Sequence, residues 1–197
     1  MAAGDPRPEA FEQDGRRLRS ADSRARIVAA VLALIGEGDL SPGAEAVAVR
    51  AEVGLRTVFR HFKHMDSLYQ EMTEVIAAEM RASAAAPIQA TGWRERTLEL
   101  VGRRAEIFER IAPFKRAADA RSLHSSVFEH ANIRLVRALR EILRRELPPE
   151  ALADPVLLES LDLLLSFEAW SRLRREQDLG PDQARAVLDG AVRRLIG

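Results

Sequence analysis

The chain of 197 residues contains no cysteine. That absence excludes a disulfide scaffold, a thiol nucleophile and a cysteine-based zinc site. It also carries no net charge, with 30 basic residues balanced by 30 acidic ones. Overall electrostatics therefore announce neither nucleic acid nor an anionic surface as a partner. No apolar run approaches the roughly 18 residues that a membrane-spanning helix needs. The greasiest stretch, 156–167, is interrupted by Glu159 and Asp162. The N-terminus has no apolar segment ahead of a cleavage site, so no secretory signal is expected, and a cytoplasmic location follows. Gly-rich phosphate loops, G-x-S-x-G and H-E-x-x-H are all missing, so neither a catalytic centre nor a cofactor is expected. His124 and His130 stand six apart and do not share a helical face, while His61 and His64 lack a third ligand, so no metal site is expected. No segment alternates as a strand and no internal repeat occurs, which makes the expected fold all-α.

The content that remains is that of an ordinary globular protein, 47% hydrophobic and 30% charged. Charge is unevenly spread. Between Arg16 and Lys63 nine basic residues face five acidic ones, so a cationic front half is offset by the rest of the chain. Such an asymmetry suits a two-part protein with an anion-seeking end. Residues 1–20, rich in Pro, Gly, Ala and charge, read as a flexible basic tail. Arg16, Arg17 and Arg19 at its end are either a solvated charge run or an arm for a minor groove.

Apolar spacing then marks a series of helices. Ile27, Val31 and Ile35, with Val28 and Leu32, give the first, from Ser23, ended by Gly36 and Gly38. Ser41-Pro42 reads as the start of the second, which runs to about Ala51. A very short third helix spans about Leu55 to Phe62, and a fourth begins near His64 and ends before Pro87. Trp93 to Ile111 follows; Pro113 interrupts, and Phe114 to Ser122 reads as a separate short helix. Ser126 to Leu147 stops at Pro148-Pro149, Asp154-Pro155 opens a helix running to about Arg175, and the last spans about 182–196.

The stretch 44–69 is the most informative. Val47, Ala48 and Ala51 form one apolar face, and Val58 and Phe62 another, which leaves Leu55, Arg56, Thr57, Phe59, Arg60 and His61 on or near the outward side of a very short rod. Arg56 and Arg60 are four apart and share a face. Arginine can fork onto guanine O6 and N7, and a hydroxyl or imidazole can bond phosphate.

Val47-Ala48, followed by Ala51-Glu52-Val53-Gly54-Leu55-Arg56-Thr57-Val58-Phe59-Arg60-His61-Phe62, resembles the helix-turn-helix of TetR-family transcriptional regulators. That family's pattern is Ile-Ala, then Ala-Gly-Val-Ser, two variable residues, Thr-(Leu/Val)-Tyr, a variable residue and (His/Tyr)-Phe, and shortly a Lys and a Leu. The likeness covers roughly residues 20–80, with a weaker one at 166–173. It implies an N-terminal three-helix DNA-binding domain, 21–66, and a C-terminal helical effector-binding and dimerisation bundle, 67–197. By position, Ser41, Leu55, Arg56, Thr57, Phe59, Arg60, His61 and Lys63 would form the DNA-binding surface. Phe59 stands where a Tyr usually donates to phosphate, Glu52 replaces the turn glycine, Gly54 replaces a capping serine, and Met65 replaces a lysine that Lys63 can stand in for.

The resemblance further implies a homodimer on a near-palindromic duplex, paired through the last two helices. The apolar residues Leu157, Leu161 and Leu164 fit that pairing, and fit an intrachain core equally well. A repressor released by a small apolar effector is the expected role, with a pocket drawn from Phe108, Phe114, Phe128, His130, Phe167 and Trp170. The rival readings are a small helical ligand-binding enzyme and a protein-binding adaptor.

Overall fold

A computed structural model describes residues 8–84, 86–121 and 126–197. Among them it contains helices and no strand. The chain divides into two compact units, Met1–Thr73 and Glu74–Gly197. The division falls inside a helix, seven residues beyond the boundary expected at 66.

The first unit is built from α1 (Pro8–Gly36), α2 (Ala44–Arg50), α3 (Leu55–His61) and the first turns of α4 (Met65–Ala84). Helix α1 begins at Pro8, inside the stretch read as an irregular tail. Proline suits a first turn, and the Glu, Gln, Arg and Leu that follow are good helix formers. The core is the set of apolar positions that helical spacing picks out. Ile27, Val31 and Ile35 of α1 are fully enclosed, as are Val47, Val58, Leu68 and Tyr69. Tyr69 Oη donates to the carbonyl of Pro42 at 3.3 Å.

That bond bears on the start of α2. Ser41-Pro42 is not its cap: the helix opens two residues later, with extended Gly43 as N-cap and no side-chain bond. Pro42 is buried in the preceding loop instead. Ser41 takes part in a local turn, its amide donating to Asp39 Oδ1 at 3.0 Å.

The second unit holds the rest of α4, α5 (Trp93–Arg121), α6 (Ser126–Glu146), α7 (Pro149–Leu152), α8 (Pro155–Leu164), α9 (Phe167–Ser171) and α10 (Pro181–Ile196). Its core joins Val101 and Phe108 of α5, Leu143 of α6, Leu161 of α8, Trp170 of α9 and Val192 of α10. Helix α5 does not stop at Pro113. Burial of Ile111 and Ala117 on either side of the proline holds both halves of the helix against the core, which outweighs one lost backbone bond.

Asp154 caps α8 as expected, its carboxylate accepting from the amides of Val156 and Leu157 at 2.9 and 3.0 Å. The helix then ends at Leu164, about eleven residues early. Ser166 turns extended and its hydroxyl accepts from the Ala169 amide at 3.1 Å, restarting the chain as α9, which runs into a single wide π-turn at Arg172–Glu176. Of the face that fitted either a second copy or an intrachain core, Leu161 is fully buried inside the unit, while Leu157 and Leu164 are half-buried. The exposed apolar side chains of this region are Val156 and Leu163 on α8 and Val187 and Leu195 on α10.

Among the described residues one charged side chain lies inside. Arg104 of α5 is 3% exposed, and donates to the carbonyls of Leu165 and Leu139, each at 2.6 Å. Burial holds its guanidinium down to about 10, against the pull of Asp162, and it stays charged at neutral pH.

Candidate nucleic-acid interface

Helix α3 has four strips of side chains, because residues four apart stack above one another. Val58 and Phe62, just beyond the helix end, are buried. Thr57 and His61 are half-buried beside them. Arg56 and Arg60 are exposed, and Leu55 and Phe59 are 37% and 47% exposed. The outward surface is therefore two guanidinium groups flanked by two apolar side chains. Lys63 is exposed just beyond the helix. Ser41 is exposed in the loop before α2, not on this rod.

The turn that sets α3 ends α2 with a known geometry. The Val53 amide donates to Ala48 O at 3.0 Å and the Glu52 amide to Val49 O at 3.1 Å, the paired bonds of a Schellman cap. Glu52 has φ 54°, the left-handed conformation that glycine adopts without cost. Gly54 has φ −69° and ψ 146°, open to any residue, so the conformational freedom of glycine is not used there. A Cβ there would meet nothing within 4 Å. Gly54→Ser is therefore expected to stabilise the first unit by about 0.5–1 kcal/mol, through a side-chain cap on α3 and a less flexible unfolded chain. Slower amide hydrogen exchange over residues 55–62 would register the gain; faster exchange would contradict it.

Not all the cations of the front half are available. Arg50 pairs with Glu37, and Arg26 with Asp22 at 3.3 Å. Arg24 of α1 is the most engaged. Its Nε donates to Glu71 at 3.0 Å, its Nη2 pairs with the same carboxylate, and its Nη1 donates to the His61 carbonyl at 2.9 Å. Its guanidinium carbon lies 4.3 Å from the centre of the Phe62 ring. One side chain thus ties the end of α3 to both α1 and α4. Sequence reading missed this role, because the partner carboxylate lies 47 residues away. Arg56 and Arg60 form no ion pair among the described residues, which leaves their forks free for a ligand.

His61 differs from expectation. Its Nε2 is buried and without a hydrogen-bond partner among the described residues. Burial, then Arg60 and Arg24, push its pKa below the ordinary value, against the opposing pull of Glu71. The enclosed nitrogen is not presented to a phosphate. A depressed folded pKa means that the unfolded chain takes up the proton first. Stability of the first unit is expected to be full above about pH 6.5 and to fall as pH drops toward the lowered folded value. His61→Phe should flatten that slope in thermal unfolding followed from pH 7.5 to 5; an unchanged slope would assign the dependence elsewhere.

In the second unit the described members of the expected pocket set do not line one cavity. Phe108 is core, packed edge-to-face on Phe167 with ring centres 5.6 Å apart and planes at 86°. Phe114 borders a separate apolar void of about 20 Å³ beside Ile107 and Ile111. His130 is exposed on α6. The Phe128 side chain lies outside the described residues. Among the described ones, Phe167 and Trp170 border one cleft, of about 340 Å³, between α5 and the α9 region.

No family model matches the sequence, and no curated protein matches it. Solved structures do match its fold. A Rhodococcus sp. protein described as a TetR-family transcriptional regulator superposes with a TM-score of 0.68 at 17% identity, over 89% of this chain and 99% of that one. A TetR-family transcriptional regulator from Streptomyces coelicolor gives 0.66 at 15% identity, over 89% and 80%. The multidrug binding protein EbrR, solved with imidazole, gives 0.56 at 17%, over 87% and 93%. The fold is therefore that of TetR-family transcriptional regulators, with an N-terminal helix-turn-helix followed by a helical domain.

Proposed function

We propose that this protein is a dimeric, sequence-specific DNA-binding transcriptional regulator, and a repressor released by a small molecule. The observation that carries the reading is helix α3. At seven residues it buries only Val58 within its own length, too little to explain its existence as packing. Its outward side offers Arg56 and Arg60, unpaired among the described residues, with Phe59 and Leu55 beside them, a set that suits guanine edges and thymine methyls in a major groove. Lys63 supplies a phosphate contact, and Arg24 holds the rod at its angle. The TetR-family regulators that share the fold support the same reading.

Reading a duplex with so small a surface favours two copies. The exposed Val156, Leu163, Val187 and Leu195 on α8 and α10 give a second chain an apolar seam. Two recognition helices would then meet successive major grooves about 34–36 Å apart. Sedimentation at micromolar concentration should give twice 21.9 kDa; a monomer would remove the two-site geometry. Release follows if a ligand of the second unit favours a dimer whose two helices are wrongly spaced. The fold neighbour EbrR, a multidrug binding protein, supports a small-molecule role for this half. Selection of bound duplexes from a random library tests the whole reading. Enrichment of a near-palindrome is expected, and an unenriched pool would refute it.

A further inference from the structure

The cleft beside Trp170 has an apolar floor and a cationic rim. Half-buried Ala112 and Pro113 and the 9%-exposed Phe167 supply the floor, with Trp170 buried behind them. Three guanidinium groups border it, those of Arg116, Arg174 and Arg175, against the single carboxylate of Glu109. That carboxylate is already committed. It accepts from Arg174 Nε at 2.7 Å, from Arg174 Nη2 at 3.2 Å and from the Trp170 indole at 2.9 Å. The Arg174 bonds above all, then the indole, hold its pKa below the usual carboxylate range, so it remains the counter-ion of Arg174 at neutral pH. Arg116 and Arg175 make no ion pair or hydrogen bond among the described residues. Lys115 adds a further cation, its Nζ 5.1 Å from the centre of the Phe167 ring. The site thus holds an uncompensated positive charge beside apolar surface, where a purely apolar molecule would leave the cations unanswered.

We infer that this cleft binds a small organic anion, a flat apolar body carrying a carboxylate or equivalent group, with Ala112, Pro113 and Phe167 under the body and Arg116 and Arg175 on the charge. Bidentate guanidinium–carboxylate pairing gives the preference its direction, and the volume is at the lower end of small-molecule sites. The inference rests on the reading that the second unit is the effector-binding half of a regulator, and replaces the simply apolar effector expected from the aromatic residues.

Calorimetric titration of the full-length chain with 2-naphthoate and with neutral 2-naphthalenemethanol provides the test. The carboxylate should bind at least tenfold more tightly. Arg116→Gln with Arg175→Glu should remove that preference and leave alcohol binding within twofold. Arg175→Glu alone, at an exposed position, should weaken naphthoate and favour 2-naphthalenemethylammonium. Equal binding of the two probes, a preference that survives the substitutions, or no binding of either probe overturns the inference. Anisotropy with the selected duplex separates this from the function above. A chain that binds duplex but ignores naphthoate lacks the anion site and is still a regulator. One that binds naphthoate but no duplex keeps the site and is not.

Discussion

Arg56→Ala is expected to weaken binding to the selected duplex by about 1–3 kcal/mol, roughly 5- to 150-fold, and to relax base preference at one position in each half-site. The reason is geometric. Arg56 is exposed on a rod pinned from beneath by Val58 and Phe62, and it has no intramolecular ion pair among the described residues. Little is lost when its fork meets a guanine edge, and nothing on α3 replaces it. Arg56→Lys should separate charge from geometry, since an ammonium keeps the phosphate attraction but not the two-pronged match. Non-specific affinity should then survive while discrimination falls. If alanine weakened every duplex equally, Arg56 would be a backbone contact and base reading would have to come from elsewhere.

The largest effect on stability is expected at Arg104. Arg104→Ala should destabilise the second unit by about 2–4 kcal/mol, through a cavity among α5, α6 and α8 and the loss of two donors to the carbonyls of Leu139 and Leu165. Arg104→Met should cost less than half of that. It refills the volume, and it removes a charge whose burial is itself unfavourable. Both tryptophans, Trp93 and Trp170, lie in the second unit, so their fluorescence in urea follows it selectively. An alanine variant that unfolds within about 0.5 kcal/mol of the parent would show the buried guanidinium to be energetically neutral, as surface substitutions usually are.

What the sequence disclosed depended on how local the determining forces are. The short helices α2 and α3 were legible because burial of Val47, Ala48, Ala51, Val58 and Phe62 imposes its own spacing. Asp154-Pro155 was legible because a cap and a first-turn proline act within three residues. Ser41-Pro42 carries the same signature and caps nothing, since Tyr69, 27 residues on, engages the Pro42 carbonyl. Pro113 has the local character of a break, yet burial around it keeps α5 continuous. The restart at Ser166 was masked by continuous apolar residues on both sides.

At the candidate interface the pattern was similar. Arg56, Phe59 and Arg60 fall where helical periodicity places them, on the outside. His61 stands one strip away from them, and that 100° of rotation moves its ring from solvent into half-burial. A count of cations could not show that Arg24, Arg26 and Arg50 answer carboxylates of their own unit. The aromatic residues of the second unit gave no sign of which would meet. Phe108, Phe167 and Trp170 all went to the core, and the last two also border arginines that no spacing rule connects to them.

Methylation protection on the selected duplex tests the central claim most directly, because dimethyl sulfate attacks guanine N7 in the major groove. If α3 lies there with Arg56 and Arg60 on base edges, guanines should be protected in two clusters about one helical turn apart. In Arg56→Ala, protection should disappear at one guanine of each cluster. Tight binding that leaves every guanine N7 open to methylation would place the protein outside the major groove and contradict the account.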